Sequence, residues 1–201
     1  PSPEEIAAFE SDRSPQAFEK LVDRLLARPE YGERWGRYWL DVVRFAQTSG
    51  YERDDEIPYA WRYRDYVIKA FNDDKPYDRF IMEQLAGDEL APDSPEAKIA
   101  TGFYRIGTWD DEPDDARAAE FDNLDDIIVT TSAAFLGSTL GCARCHDHKL
   151  DPFSQSDYYK LVSVFRNLRP YERPRRTLDS PTLFPLEPAE KVAAWRAEHE
   201  A

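Results

Sequence analysis

The sequence is poor in the residues from which most catalytic centres are built. Its 201 residues hold two cysteines, three histidines and one methionine. With so few histidines and no Gly-x-Ser-x-Gly, a hydrolytic triad has little to stand on, and neither a phosphate-binding glycine loop nor a paired-carboxylate signature is present. Long apolar runs are missing too: nothing approaches the roughly 18 consecutive apolar residues that mark a transmembrane helix. Pro1-Ser2-Pro3 carries neither the basic region nor the apolar run of a secretory signal. Positive charge is scarce, with 26 Lys and Arg against 40 Asp and Glu, a formal net charge of −14 at pH 7. That balance speaks against nucleic acid, whose phosphates need a basic surface, and against an anionic membrane face. A docking partner is expected to present basic residues, in an association that salt weakens; the plainer meaning of the charge is solubility.

What the chain does have is concentrated in one stretch. Gly141-Cys142-Ala143-Arg144-Cys145-His146-Asp147-His148-Lys149 holds both cysteines and two of the three histidines. Cys-x-x-Cys-His is the attachment signature of c-type haem: each thiol can add to a vinyl group, and the next residue offers an imidazole to the iron. Cys142 and Cys145 are therefore the candidate thioether sites for one haem c per chain, and His146 the candidate proximal axial ligand. Two other readings use the same residues. A disulfide or redox-active Cys-x-x-Cys needs no His146, and its thioredoxin form wants a strand-helix setting that is not seen. A zinc site of Cys142, Cys145, His146 and His148 has suitable ligand types, but structural zinc normally joins two separated pairs. Covalent haem is joined outside the bacterial plasma membrane, so a periplasmic or extracellular location is expected, the sequence then being a trimmed part of an exported protein.

The remainder reads as helices. Ser2-Pro3-Glu4-Glu5 is a capping box opening a helix to about Glu10. Ser14-Pro15 starts a second with an apolar stripe of Phe18, Leu21, Val22, Leu25 and Leu26. Pro29 starts a third, whose face of Tyr31, Trp35, Tyr38, Trp39, Val42, Val43 and Ala46 runs to Ser49-Gly50 and reads as core more than cofactor wall. Further helices begin at Pro58, at Pro76 (ending at Gly87) and at Ser94-Pro95, the last reaching about Ile106. Arg62 and Arg64, interleaved with aromatics, could meet a porphyrin edge or its propionates, or simply pair with surface acids. The acidic run Asp110 to Asp115 lacks the glycine and terminal glutamate of a calcium loop and suits the start of a helix. The helix after it carries Leu124, Ile128, Thr131, Phe135 and Ser138 on one face and is expected to end in the haem motif. Ser154-Gln155-Ser156-Asp157 opens another. Prolines between Arg169 and Pro188 suggest an extended arm, and a last helix covers Ala189 to about Glu198. No strand alternation and no internal repeat are visible. The expected fold is all-α, a single compact multi-helix domain at 1–168 around the haem, followed by the Pro-rich arm and terminal helix at 169–201.

Several of these stretches together resemble a planctomycete cytochrome c-like domain family of unassigned function: the segment from Phe18 to Asp54, AWRYRDYVIKAFN from Ala60, PYDRFIMEQLAGD from Pro76, ATGFYRIG from Ala100, and LGSTLGCARCHDHKLDPFSQSDYYKL ending at Leu161. The resemblance spans about residues 16 to 171. It implies a module of large exported multidomain proteins, commonly joined to a second uncharacterised domain further along the chain, with Cys142 and Cys145 as thioether sites and His146 as axial ligand.

The group opposite His146 would decide the chemistry. Met82 is one candidate, since a sulfur ligand raises the potential, with core packing as its plainer role. His148 is another, although two positions along a helix point about 200° apart, which favours a hydrogen-bonding or surface role. His199 sits in the terminal helix, Lys149 or a tyrosine is possible, and the iron could also be open. The expected function is a c-type cytochrome module passing single electrons to or from a redox partner protein or adjacent domain. A haem enzyme or a gas- or peroxide-binding domain with open iron is the alternative, and a non-haem interaction module the third reading.

Overall fold

Capping side chains start several helices where the sequence places them. The Ser2 hydroxyl accepts from the Glu5 N–H, and the Glu5 carboxylate accepts from the Ser2 N–H at 2.8 Å, closing a capping box on α1 (Pro3–Ser11). Ser94 caps α6 (Pro95–Ala100), and Ser154 with Asp157 forms a second capping box on α8 (Gln155–Phe165). The computed structural model describes residues 1–110, 112–168 and 185–199. Its other helices are α2 (Ala17–Leu26), α3 (Pro29–Val42), α4 (Ala60–Asn72), α5 (Tyr77–Leu90), α7 (Ala116–Leu136) and α9 (Ala189–His199), with 3₁₀ turns at Thr101–Arg105 and Leu140–Arg144. Among the described residues there is no strand, only an isolated antiparallel bridge between Thr48 and Glu56. The fold is all-α, as expected.

The helices pack in two sets that share a core. α3 lies along α4, α5 crosses α6 and the first 3₁₀ turn, and α7 with α8 embraces the second 3₁₀ turn. Val43, Val67, Phe103, Ile106, Ile127 and Ile128 are fully buried between them. A chain of rings joins the sets: Trp39 lies 4.9 Å from Phe80 and 5.6 Å from Phe135, and Phe135 lies 5.3 Å from Phe103, centroid to centroid. Ring pairs of this kind add about 0.5–1.5 kcal/mol beyond their area burial. Because Phe135 is in the last turn of α7, they fix the point from which the Cys-x-x-Cys-His stretch departs.

Two buried polar side chains of this core, Gln84 and Glu83, are paired. Gln84 Oε1 accepts from Tyr63 OH and Trp39 Nε1, while Gln84 Nε2 donates to the Phe80 carbonyl at 3.0 Å. Glu83 is buried and accepts from Tyr66 OH, Lys75 Nζ and Arg79 Nε. Burial alone would raise its carboxyl, but Lys75, Arg79 and Tyr66 outweigh that and hold it below the ordinary carboxylate value.

Four boundaries differ from expectation. α3 stops at Val42 rather than near Ser49. Arg44 takes the left-handed conformation (φ 56°) and the Phe45 N–H returns to the Leu40 carbonyl at 2.8 Å, a Schellman stop without glycine. The cost of that conformation is offset where Arg44 Nε grips both oxygens of Asp126 on α7, at 2.8 and 2.7 Å. α5 continues to Leu90 across a break at Ala86, and α6 gives way to a 3₁₀ turn after Ala100. α7 ends at Leu136, and the motif occupies a turn of its own instead of the helix end. The aromatic face of α3 is also less buried than expected: Trp35 and Tyr38 are exposed, and α2 buries none of its apolar stripe. The expected arm falls largely at 169–184, outside the described residues; Pro185, just beyond, accepts from Lys98 Nζ through its carbonyl at 3.3 Å.

Candidate functional site

Gly137 separates α7 from the motif. It sits at φ 60°, and its N–H and that of Ser138 both turn back to the Ser132 carbonyl, the left-handed stop that glycine adopts without penalty. The 3₁₀ turn Leu140–Arg144 follows, anchored by the buried side chains of Leu140 and Ala143. Gly141 allows the turn to lie on α7: a Cβ there would come 2.7 Å from Val129 Cγ2. Cys142 and Cys145 flank Arg144 and the buried Ala143, both cysteines being exposed, free thiols.

Arg144, between the cysteines, is held from two helices. Its guanidinium donates to Asp125 Oδ2 at 3.0 Å and Asp122 Oδ1 at 2.8 Å, both on α7. The pair of carboxylates, Asp122 foremost, keeps the guanidinium firmly charged. Its carbonyl accepts from Gln155 Nε2 at 3.1 Å and Tyr159 OH at 3.2 Å on α8. Tyr158 OH donates to the other oxygen of Asp125; burial and then this bond push its hydroxyl above the ordinary tyrosine value, so it remains a donor.

The two motif histidines are placed differently. His146 is exposed, and its Nδ1 lies 2.7 Å from the Asp147 carbonyl. A carbonyl only accepts, so Nδ1 carries a proton, and in the neutral ring Nε2 is then the nitrogen with the lone pair. Metal-ligating histidines are oriented in this way, one nitrogen donating to a carbonyl and the other free for the metal. His148 has no such freedom. Its Nδ1 accepts from the Asp151 N–H at 2.8 Å and the Leu150 N–H at 3.3 Å, so Nε2 bears the proton and donates to Thr139 Oγ1 at 2.9 Å. Its backbone N–H donates to the Phe153 carbonyl at 2.8 Å. His148 bolts the 147–153 loop to the start of the motif turn.

The residues present fit a covalent haem in these respects: both cysteines are exposed on an anchored turn, and the exposed His146 beside them has Nδ1 turned to a carbonyl. The segments that carry the motif and pack against it expose Val129 and Leu136 on α7, Leu150 in the loop and Val164 on α8. The zinc alternative needs four side chains to converge. Both nitrogens of His148 are committed elsewhere, and among the described residues no three His, Cys, Asp or Glu side chains come together as a metal-holding group. Met82 is 41% exposed on α5, a helix that packs on α6 and the first 3₁₀ turn, whereas the motif turn packs on α7 and α8. Arg62 lies over the rings of Trp61 and Tyr59, and Arg64 pairs with Asp65. Asp115, ending the acidic run, caps α7 by accepting from the Arg117 and Ala118 N–H groups at 2.9 and 3.0 Å. His199 ends α9.

Sequence reasoning passed over Arg144, Asp122, Asp125, Tyr158 and Tyr159. Asp122 and Asp125, three apart on a helix, share a face, but nothing in one sequence joins that face to an arginine about twenty residues on.

Residues 1–170 match the family model PSCyt2, described as a protein of unknown function (DUF1549). No curated protein and no solved structure matches the chain.

Proposed function

The chain belongs to the PSCyt2 family of unknown function, and from that premise we propose that it is a c-type cytochrome module which binds one haem c and passes single electrons. The observation that carries this reading is the His146 imidazole, protonated at Nδ1 toward a backbone carbonyl with Nε2 free, immediately after two exposed free thiols. Cys142 and Cys145 would hold the haem by thioether bonds and His146 would donate Nε2 to the iron. The haem, when bound, supplies a centre that takes up and releases one electron. The chain's own part is to carry the thiols on an anchored turn, orient the imidazole through the Asp147 carbonyl and keep the 147–153 loop closed through His148. In this reading the protein is exported and works with a basic redox partner or an adjacent domain, its formal charge of −14 steering the encounter.

The test is direct. Protein exported from a host with a working haem-attachment system should carry a covalent haem increment by intact mass and a c-type pyridine haemochrome spectrum. Bare polypeptide from such a host would end the proposal. Replacing His146 with alanine should abolish the axial-ligand spectrum while leaving the pigment attached.

One observation favours a second reading, in which the iron is open on its far side. His148 has both ring nitrogens engaged within its loop, and Met82 belongs to a differently packed helix. Cyanide or carbon monoxide binding by the loaded protein without displacement of a protein ligand would support a gas- or peroxide-binding role.

A further inference from the structure

We propose that Arg144 is a positioning residue that holds the Cys142–Cys145 turn in its open dithiol form, ready for attachment. The purpose rests on the haem reading above, whereas the arrangement belongs to the protein alone and is testable without haem. The guanidinium spans Asp122 and Asp125 on α7, at 2.8 and 3.0 Å. The same residue's carbonyl takes bonds from Gln155 and Tyr159 on α8, at 3.1 and 3.2 Å. Tyr158 secures Asp125 from the far side, and Ala143 is buried beneath the turn. The residues between the cysteines are thus held by α7, by α8 and by burial of Ala143, while both cysteines are exposed and unbridged.

Bringing Cys142 and Cys145 within S–S bonding distance demands a particular spacing and direction of the two Cβ atoms. An interaction made by the dithiol form and weakened in the bridged form opposes oxidation by the amount of that weakening, and its removal favours the disulfide. A bridged motif cannot add to vinyl groups, so a clamp that disfavours bridging keeps the site competent in an oxidising compartment. Arginine suits the task better than lysine: its planar fork reaches two carboxylates at once, which a single ammonium does less well.

The experiment is an equilibrium titration of the haem-free protein in glutathione buffers, reading the fraction of Cys142–Cys145 disulfide by thiol alkylation and mass. In the reaction the two protein thiols lose two electrons and two protons to form one S–S bond, and one glutathione disulfide takes them up to give two glutathione thiols. Arg144→Ala should shift the equilibrium constant toward the protein disulfide by about tenfold, one clamp's worth of roughly 1.4 kcal/mol, with Arg144→Lys restoring only part of it. Should Arg144→Ala fail to fold, Asp122→Asn and Tyr159→Phe each remove one contact and should shift the constant in the same direction by a smaller factor. A constant within twofold of the parent, or a shift toward the dithiol, in variants that retain the parent helical spectrum overturns the proposal. Failure of the parent to take up haem would leave this titration untouched and would count against the cytochrome reading instead.

Discussion

Replacing His148 with alanine separates a structural bolt from an axial ligand. The ring donates once, to Thr139, and accepts twice, from the Leu150 and Asp151 N–H groups. An intramolecular hydrogen bond contributes about 0.5–1.5 kcal/mol net. Thr139, Leu150 and Asp151 are all exposed, so water can recover part of what is lost and the total should lie near 1–2 kcal/mol rather than at the sum of three full bonds. For a domain of this size that is a fall in Tm of roughly 3–6 °C. Thermal unfolding of the haem-free protein gives the stability term, and the absorption spectrum of the loaded protein gives the ligation term. A lower Tm with an unchanged loaded spectrum is expected. A loaded spectrum that loses its six-coordinate character while the haem-free Tm stays put would refute the argument and make His148 the second axial ligand.

Two other substitutions address the core and the far side of the iron. Glu83→Gln removes the charge that faces Lys75, whose side chain is 14% exposed beside a glutamate 7% exposed; leaving a buried ammonium without its counterion should cost about 3 kcal/mol, read as a shift of the urea midpoint at unchanged slope. Because the folded Glu83 carboxyl lies below its ordinary value of 4.5, its stabilisation is complete above that pH and is lost as pH falls through the folded value, so parent and variant stabilities should converge in acid; a gap that persists at the lowest pH reached would contradict this. Met82→Leu, at an exposed position on α5, should leave the redox potential and spectrum of the loaded protein unchanged, and a drop in potential would restore Met82 as an iron ligand.

Local chemistry made the helix starts legible: Ser2 with Glu5, Ser94, and Ser154 with Asp157 each supply an oxygen to an orphan N–H within three residues. Helix ends were harder where the deciding group lies far along the chain. Arg44 stops α3 in a conformation that a bare sequence reserves for glycine, and the Asp126 that accommodates it is 82 residues away. The reverse error occurred at Gly137, whose value as a stop was hidden among other small residues, so the motif was read as a helix end. The motif stood out because one stretch, Gly141 to Lys149, holds both cysteines and two of the three histidines. The clamp around it was not legible, since Arg144–Asp122 and Tyr158–Asp125 are 22 and 33 residues apart. The 200° argument against His148 as a partner of His146 assumed a helix that is absent there. The stronger reason is that its two nitrogens are already bonded.

Exposure of the motif has a consequence for how such a module would work. Electron-transfer partners meet briefly, through small interfaces, at the low end of the sizes seen in protein complexes. A prosthetic group carried on the Leu140–Arg144 turn would stand at the surface, because Cys142, Cys145 and His146 are all exposed, and a partner would approach it without any helix having to move. The same exposure leaves the chain few apolar atoms of its own to shield the group. Val129, Leu136, Leu150 and Val164 are among the exposed apolar side chains of the segments that carry the motif and pack against it. Rigidity is then the property the turn must supply, since an exposed group on a loose loop would lose both its ligand geometry and its reproducible distance to a partner. The ionic clamp at Arg144 and the imidazole bolt at His148 are two devices of different chemistry on either side of His146. Loss of either one should loosen its own segment, the turn or the 147–153 loop, before it unfolds the helices.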